Sequence, residues 1–517
     1  MAAAAPVAHP PLHGARLAVA AVALSTATFM NVLDTTIANV SLPSIAGDLG
    51  VSPSQGTWVI TSFAVANAIA VPLTGWATQR FGQLRLFIAS VLAFVLASLA
   101  CGFASTLEAL IFFRVVQGFV AGPMIPLSQA LLLAAFPREK APTALAAWSM
   151  TTLVAPVAGP ILGGWLTDNL SWPWIFWINV PVGLVAALFT ARALAGRESA
   201  TRRLPIDTVG LALLVLWVGA LQLMLDKGQE LDWFASPFIV GLALVAGIGF
   251  LVFLIWELTQ RHPIVDLSLF ARRNFSVGVI TIACAYALFF GNVVLMPLWL
   301  QQYMGYTATW AGLVTAPTGV LALACTPLVA RVMPYTDPRR LASFAFVVFA
   351  VVAFMRAGFT TGADVYTLAL PQFVQGVAVS CFFVPLTALI LSGLPPERIP
   401  AASGLSNFAR ITAGAIGASV FGTQWDDRAA LHHAQLAEHL TPFSSSTAQA
   451  LHGYARAGLD PQQALGALER QVGGQAHLLA ANDLFWISGV IFVVLIGIVW
   501  IARPQGRGAA GDAAGAH

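Results

Sequence analysis

Apolar residues along this chain gather into runs of about 20, the number a helix needs to cross the hydrocarbon core of a bilayer. Fourteen such runs can be marked: 17–41, 57–76, 86–104, 107–134, 143–166, 173–194, 207–225, 237–257, 276–300, 308–331, 341–359, 366–393, 401–424 and 480–502. One sizeable hydrophilic stretch, 426–479, interrupts them before the last run. The pattern predicts an all-α membrane protein. An even number of spans puts both termini on one side, and the bias of Lys and Arg decides which. With the N-terminus inside, the cytoplasmic segments hold Arg16, Arg80, Arg85, Arg138, Lys140, Arg192, Arg197, Arg202, Arg203, Arg261, Arg272, Arg273, Arg331, Arg339, Arg340, Arg398, Arg503 and Arg507. Lys227, Arg356, Arg428, Arg456 and Arg470 remain outside, a ratio of 18 to 5, and Arg114 and Arg410 fall within spans. Both termini are therefore expected in the cytoplasm. The tail MAAAAPVAHPPLHGAR is too Pro-rich and polar for the basic start of a signal peptide and is expected to stay as a short cytoplasmic segment.

Composition sharpens the class. Of 517 residues, 58% are hydrophobic and 9% charged, with mean hydropathy +0.80, against about 25% charged residues in a soluble domain. The net charge of +3 is small and scattered, which argues against a nucleic-acid partner. Cys101, Cys284, Cys325 and Cys381 all lie in apolar runs without CxxC spacing, so they read as packing residues rather than metal ligands or disulfides.

An internal repeat organises the spans. The stretch RVVQGFVAGPMIPLSQALLLAAFPREKAPTALA, from Arg114, aligns with QFVQGVAVSCFFVPLTALILSGLPPERIPAASG, from Gln372, at a constant offset of 258 residues. Gln117 meets Gln375, Gly118 meets Gly376, Pro137 meets Pro395, Glu139 meets Glu397 and Pro142 meets Pro400. Spans 4 and 5 thus correspond to spans 12 and 13. The chain divides into a six-helix half at 1–195, an insert of spans 7 and 8 at 196–272, and a second six-helix half at 273–517 that includes the loop 426–479. Two parallel repeats suggest alternating access around a site near the midplane.

Four ordered motifs lie at matching places: LDTTIANVSLP (33–43) in span 1, GWATQRFGQLRLF (75–87) after span 2, RVVQGFVAGP (114–123) in span 4 and APVAGPILGGWL (155–166) in span 5. Together they resemble the fourteen-span drug:proton antiporters of the major facilitator superfamily, the EmrB/QacA group, over nearly the whole chain. The resemblance implies the superfamily fold with 14 helices arranged 6+2+6, proton-driven multidrug efflux from the bacterial inner membrane, and no cofactor. It also implies a tripartite pump with a periplasmic membrane-fusion adaptor (EmrA-like) and an outer-membrane channel (TolC-like), for which the loop 426–479 is a candidate docking surface beside the plainer reading of a solvated excursion. For substrates, the EmrB branch implies hydrophobic antibiotics and weak-acid uncouplers, the QacA branch lipophilic cations. Two departures stand out: Gln79 replaces the usual acid of the loop 2–3 motif, and Ala155 replaces the first glycine of the span-5 motif.

Candidate chemistry centres on Asp34, the sole charged residue between Leu17 and Leu42. A carboxylate inside a membrane costs at least about 2.5 kcal/mol, so it is neutral, paired or facing water. At 1.5 Å per residue Asp34 and Arg114 each lie about seven residues inside the outer ends of their spans, at one depth. An Asp whose distance to an Arg alternates with conformation can bind and release a proton. Asp34 and Arg114 are therefore the expected coupling pair, with a static packing pair as the alternative. The resemblance likewise implicates the span-4 arginine in proton transfer. At the offset of 258, Asp34 maps to Asn292 and Arg114 to Gln372, so the proton site is expected in the N-terminal half.

The substrate cavity is expected to include Thr35, Asn292, Phe289 and Phe290, with an interhelical amide role equally open for Asn292. Gly159, Pro160, Gly163 and Gly164 suit close helix packing and a bend, and the resemblance gives them the role of sealing the two halves against leak. Gly75, Arg80, Gly82 and Arg85 read as a cytoplasmic gate or as topology anchors. Arg410, a secondary candidate, either serves function or snorkels to the interface.

Energy supply follows by elimination. Neither Lys140 nor Lys227 sits in a GxxxxGKS/T loop, so an ion gradient is expected in place of ATP. Each charge moved through 100 mV supplies about 2.3 kcal/mol. No histidine falls within a span, and His432, His433, His439, His452 and His477 in the outer loop lack an HExxH motif, so a metal site is not expected. An intramembrane enzyme would need a nucleophile and base for which GxSxG and HExxH are missing, and a solute–proton importer on the same scaffold stands as the alternative to export.

Overall fold

The structure, a computed structural model, describes residues 10–202, 205–441 and 443–504. Arg203 and Arg507 of the charge count, and the side chains of Arg138 and Pro160, lie outside the described residues. Helices occupy all fourteen expected places. Span 1 is Gly14–Asp48; span 2 is Trp58–Ala70 and Thr74–Phe81, joined by the 3₁₀ turn Val71–Leu73; span 3 is Gln83–Gly102. Span 4 is Leu107–Ala121 and Met124–Ala135, span 5 Ala141–Asn169, and span 6 Trp174–Trp177 and Asn179–Ala193. The insert is span 7, Thr208–Lys227, and span 8, Pro237–Thr259. Then come span 9, Arg273–Gln302; span 10, Ala308–Thr315 and Pro317–Val332; span 11, Pro338–Arg356; span 12, Val365–Leu391; span 13, Ile399–Glu438; and span 14, Pro461–Trp500.

Among the described residues twelve helices are long and apolar enough to cross a membrane. Ala141–Asn169 and Ile399–Glu438, at the places of spans 5 and 13, are not among the twelve. Both are long, at 29 and 40 residues, but rich in Gly, Ala, Ser and Thr. Their packing accounts for that composition. Span 5 lies along span 1 and touches spans 10 and 12, and span 13 lies along span 9 and touches spans 2 and 4. These two helices run through the seam where small residues let backbones approach.

Local chemistry sets the helix ends. Thr106, Asp207, Thr307, Asp337, Asp364 and Asp460 each cap a helix through a side-chain oxygen, and Asp460 with Gln463 forms a reciprocal capping box. The turn after span 2 needs Gly82, which has φ +91° and whose missing Cβ would lie 2.4 Å from Glu198 Oε1. Glu198 accepts from the backbone N–H groups of Leu84 (3.0 Å) and Arg85 (2.8 Å), placing a carboxylate at the positive end of span 3. The loop 2–3 motif lacks its acid at Gln79, and Glu198 brings one to this turn from the linker after span 6.

The repeat recurs in the contacts. Gly118 of span 4 meets the Phe63 carbonyl of span 2, and Gly376 of span 12 meets the Thr318 carbonyl of span 10; an added Cβ would lie 2.3 and 2.6 Å from those oxygens. Gly159 packs on Thr36 and Ile37, and Gly417, 258 residues later, packs on the Ala287 backbone. We call the end carrying both described termini the inner end. There Leu12 N–H bonds to Ala135 O and Arg503 N–H to Asn274 Oδ1.

Candidate functional site

Asp34 and Arg114 meet. Arg114 Nη1 lies 2.5 Å from Asp34 Oδ2, and both side chains are buried. The remaining valences are filled from four helices. Gln117 Nε2 (3.1 Å) and Asn179 Nδ2 (2.8 Å) donate to Asp34 Oδ1, while Arg114 donates to Gln117 Oε1 (2.9 Å) and, through Nε, to the Val59 carbonyl (2.9 Å). Ser98 Oγ accepts from both Gln117 and Asn179 and donates to Phe176 O. The guanidinium carbon sits 4.2 Å from the Phe63 ring centroid and 5.6 Å from that of Phe176. A buried ion pair persists only when its surroundings also supply hydrogen bonds, and Asp34 here accepts from three side chains. Gln117 lies inside the span-4 motif, but Ser98, Asn179 and Phe63 were not singled out from sequence. Their signal is weak, since a Ser or Asn in a span is ordinary interhelical glue.

The second half carries a counterpart with different charges. Arg356, counted from sequence among the outer charges, ends span 11 at 3% exposure. It keeps its place at the outer end, but the rotation of span 11 turns its side chain inward and not to solvent. Its Nη2 donates to Gln372 Oε1 (2.7 Å) and to Gln375 Oε1. At the offset of 258 these positions match Ser98, Arg114 and Gln117, so the second half exchanges which member holds the cation. Asn292, the match of Asp34, is buried and donates to Leu288 O (2.7 Å) and to Ser488 Oγ (3.1 Å) of span 14. The amide thus joins neighbouring helices, and Thr35 turns its hydroxyl back to Val32 O (2.7 Å).

Phe289 and Phe290 do converge with another candidate. Tyr286 stacks on Phe290 at 5.7 Å and packs beside Phe289 and Phe383, and Arg410 lies over Tyr286 (4.9 Å) and Phe383 (5.9 Å). Arg410 lines a small cavity at the seam, together with Gln129, Trp148, Ile282, Phe383, Thr387, Ile390, Ser406 and Asn407. Its Nη2 donates to Asn407 Oδ1 (2.8 Å), and no carboxylate lines the cavity among the described residues.

The motif glycines serve two surfaces. In span 5, Gly159 and Gly163 press on Thr36 and Ile37 of span 1, within one half, while Gly164 has only Val40 at 4.0 Å. At the gate, Gly75 faces Ala401 of span 13, whose Cβ lies 2.7 Å from where a Cβ of residue 75 would stand. Arg85 pairs loosely with Glu198 at 3.9 Å, and Arg80 is exposed. In the outer loop His432 bonds to Asp483 and His433 to Glu469; no metal-binding group occurs among the described residues.

Comparisons with known proteins agree on the scaffold. The profile of the Major Facilitator Superfamily matches residues 24–418. The chain is similar to multidrug export protein EmrB of Escherichia coli (strain K12), 54% identical over 98% of this chain and 99% of the relative. It is also similar to fatty acid resistance protein FarB of Neisseria gonorrhoeae, 48% identical over 96% of this chain and 98% of the relative. Among solved structures, the human organic anion transporter MFSD10 (TETRAN) superposes with a TM-score of 0.60 at 14% identity, covering 95% of this chain and 100% of that one. That last likeness concerns the fold.

Proposed function

The chain belongs to the major facilitator superfamily, and from that premise we propose that it is a proton-driven exporter of hydrophobic or weakly acidic drugs in the bacterial inner membrane. It is a transporter and not an enzyme. The observation that carries the coupling is the Asp34–Arg114 pair, sealed from water and held by Gln117 and Asn179. Protonating Asp34 removes the charge that holds Arg114. The pair then loosens, and the helices bearing it, spans 1 and 4, are freed to shift. Release of the proton on the other side restores the pair. One or two protons suffice for export, because about 2.3 kcal/mol per charge per 100 mV sustains a concentration ratio near about fifty.

Substrate chemistry leans toward neutral or acidic compounds. The seam cavity carries a cation and aromatic rings, and the FarB relative is named for fatty acid resistance. In everted vesicles holding a proton gradient, added drug should release protons from the intact protein, and the Asp34→Asn variant should lose that release. Full drug-dependent release in the variant would make the pair a packing device.

Assembly with a periplasmic adaptor and an outer channel is the second part of the proposal. Spans 13 and 14 contain 40 residues each, about 60 Å of helix where about 30 Å crosses the hydrocarbon core. The excess projects from the outer end as a hairpin closed by Ser445–Arg456. Deleting Thr441–Leu459 should abolish co-purification of the adaptor while the shortened chain still inserts; undiminished adaptor binding would remove the docking role.

A further inference from the structure

Among the described residues, a guanidinium at the seam between the halves faces no anion. Arg410 is partly buried on span 13, three residues beyond Asn407, its one hydrogen-bond partner among the described side chains. The faces of Tyr286 and Phe383 cover it. Ring faces stabilise a cation by only about 0.5–2 kcal/mol and leave its N–H fork without an anionic acceptor in the cavity lining. Gly414, one turn further along span 13, lets the rings gather: a Cβ there would stand 2.8 Å from the Tyr286 ring and 3.8 Å from Phe290. Across the seam stands Gln129 of span 4, 2% exposed, with its Oε1 unpartnered.

The cavity between them holds little more than a water-sized volume, about 10 Å³, so a drug enters only when the seam parts. The cavity lies between spans 4 and 5 of one half and spans 9, 12 and 13 of the other, and the inner ends of the halves also touch at Gly75–Ala401 and Gly404–Val71. We infer that Arg410 is the subsite for the anionic head of an amphipathic acid, with Tyr286, Phe289, Phe290 and Phe383 receiving its apolar body. This rests on the proposed export of hydrophobic and weakly acidic compounds and adds the residue that separates acids from neutral molecules. The planar fork of Arg matches a carboxylate through two parallel hydrogen bonds, and the rings offer the adjoining apolar surface. Asn407 fixes the fork from behind, which makes it a positioning residue.

The test uses the full chain in phosphatidylcholine nanodiscs and compares binding of decanoate with that of decanol. The intact protein should prefer the acid by about tenfold or more, the worth of a charge-assisted hydrogen bond. Arg410→Gln should bring the ratio close to one, and Arg410→Lys should retain part of it. An unchanged ratio in Arg410→Gln overturns the inference. Independently of any variant folding, decanoate and not decanol should protect Arg410 of the intact protein from phenylglyoxal, read by mass spectrometry; equal labelling with and without decanoate overturns it as well. If phosphatidylglycerol in the nanodisc displaces decanoate, the subsite belongs to a lipid headgroup and the substrate assignment falls. Drug-dependent proton release by the intact protein with a neutral drug reports on the export reading alone, so the two can fail separately.

Discussion

At the Asp34–Arg114 pair, loss of activity in a single variant does not by itself separate coupling from packing. Taking away one member of a buried pair leaves the other uncompensated and costs about 3–5 kcal/mol, whatever its role. Arg114→Gln alone should therefore lower thermal stability in detergent markedly, because Asp34 keeps only Gln117 and Asn179 as donors. The double variant Asp34→Asn/Arg114→Gln removes both charges and should recover most of that loss. Its drug-dependent proton release should nevertheless be absent. A double variant that is stable and still releases protons would show that the pair serves packing. Of this cluster the charges were legible in sequence, because an Asp and an Arg inside apolar runs demand an explanation. Ser98, Asn179 and Phe63 were not, since a neutral polar or aromatic residue in a span has many uses and only helix rotation aims it. Helix rotation likewise decides what sequence leaves open: Arg356 at the outer end of span 11 turns inward, and of the two roles open to Asn292 the structure shows the interhelical amide.

At the scale of helices, glycine is what distinguishes a span that packs from one that merely crosses. Gly118 and Gly376 bring spans 4 and 12 against backbone carbonyls of spans 2 and 10, and a backbone atom cannot rotate away as a side chain can. Gly118→Ala and Gly376→Ala should each destabilise by about 1–3 kcal/mol, the usual cost of overpacking. Gly164→Ala, whose nearest neighbour is Val40 at 4.0 Å, should be nearly neutral by the same thermal denaturation. A large loss at Gly164 would mean that span 5 closes on another surface during the cycle. The order of the helices was legible in hydropathy, although Ala141–Asn169 and Ile399–Glu438 are not among the twelve described helices that are apolar enough to cross a membrane. The helix ends were not: span 13 was drawn to 424 and the helix runs on to Glu438, because helix propensity continues where apolarity stops. The role of the span-5 glycines also reads differently in three dimensions. Gly159 and Gly163 fit span 5 to span 1 of the same half, while Gly75 and Gly404 lie at contacts between the halves.

For the whole molecule, contacts between the halves concentrate at the inner end. The inner segments of spans 4 and 10, Met124–Ala135 and Pro317–Val332, pack on spans 13 and 5, whereas their outer segments pack chiefly within their own halves. The insert lies along the same seam. Thr61 of span 2 donates to Asp226 Oδ2 (2.8 Å) at the outer end of span 7, and Trp76 to Pro205 O (3.3 Å) just before its inner end. On the other half, Trp233 and Gln229 bond to Thr423 and Asp426 of span 13, and Ser419 to Leu225 O. Span 7 and the loop after it thus hold both halves at one flank, and any rocking of the halves must slide past them. The inner closure can be trapped directly. A Cβ at Gly404 would stand 3.4 Å from Thr74 Cβ, next to the separation of about 3.5–4.5 Å that a disulfide needs. In Thr74→Cys/Gly404→Cys, oxidation should join spans 2 and 13, stop drug-dependent proton release in vesicles, and leave it recoverable by reductant, while each single variant stays insensitive to oxidant. Transport that continued through a fully formed cross-link would mean that the substrate passes without parting these ends, and alternating access at this seam would have to be abandoned.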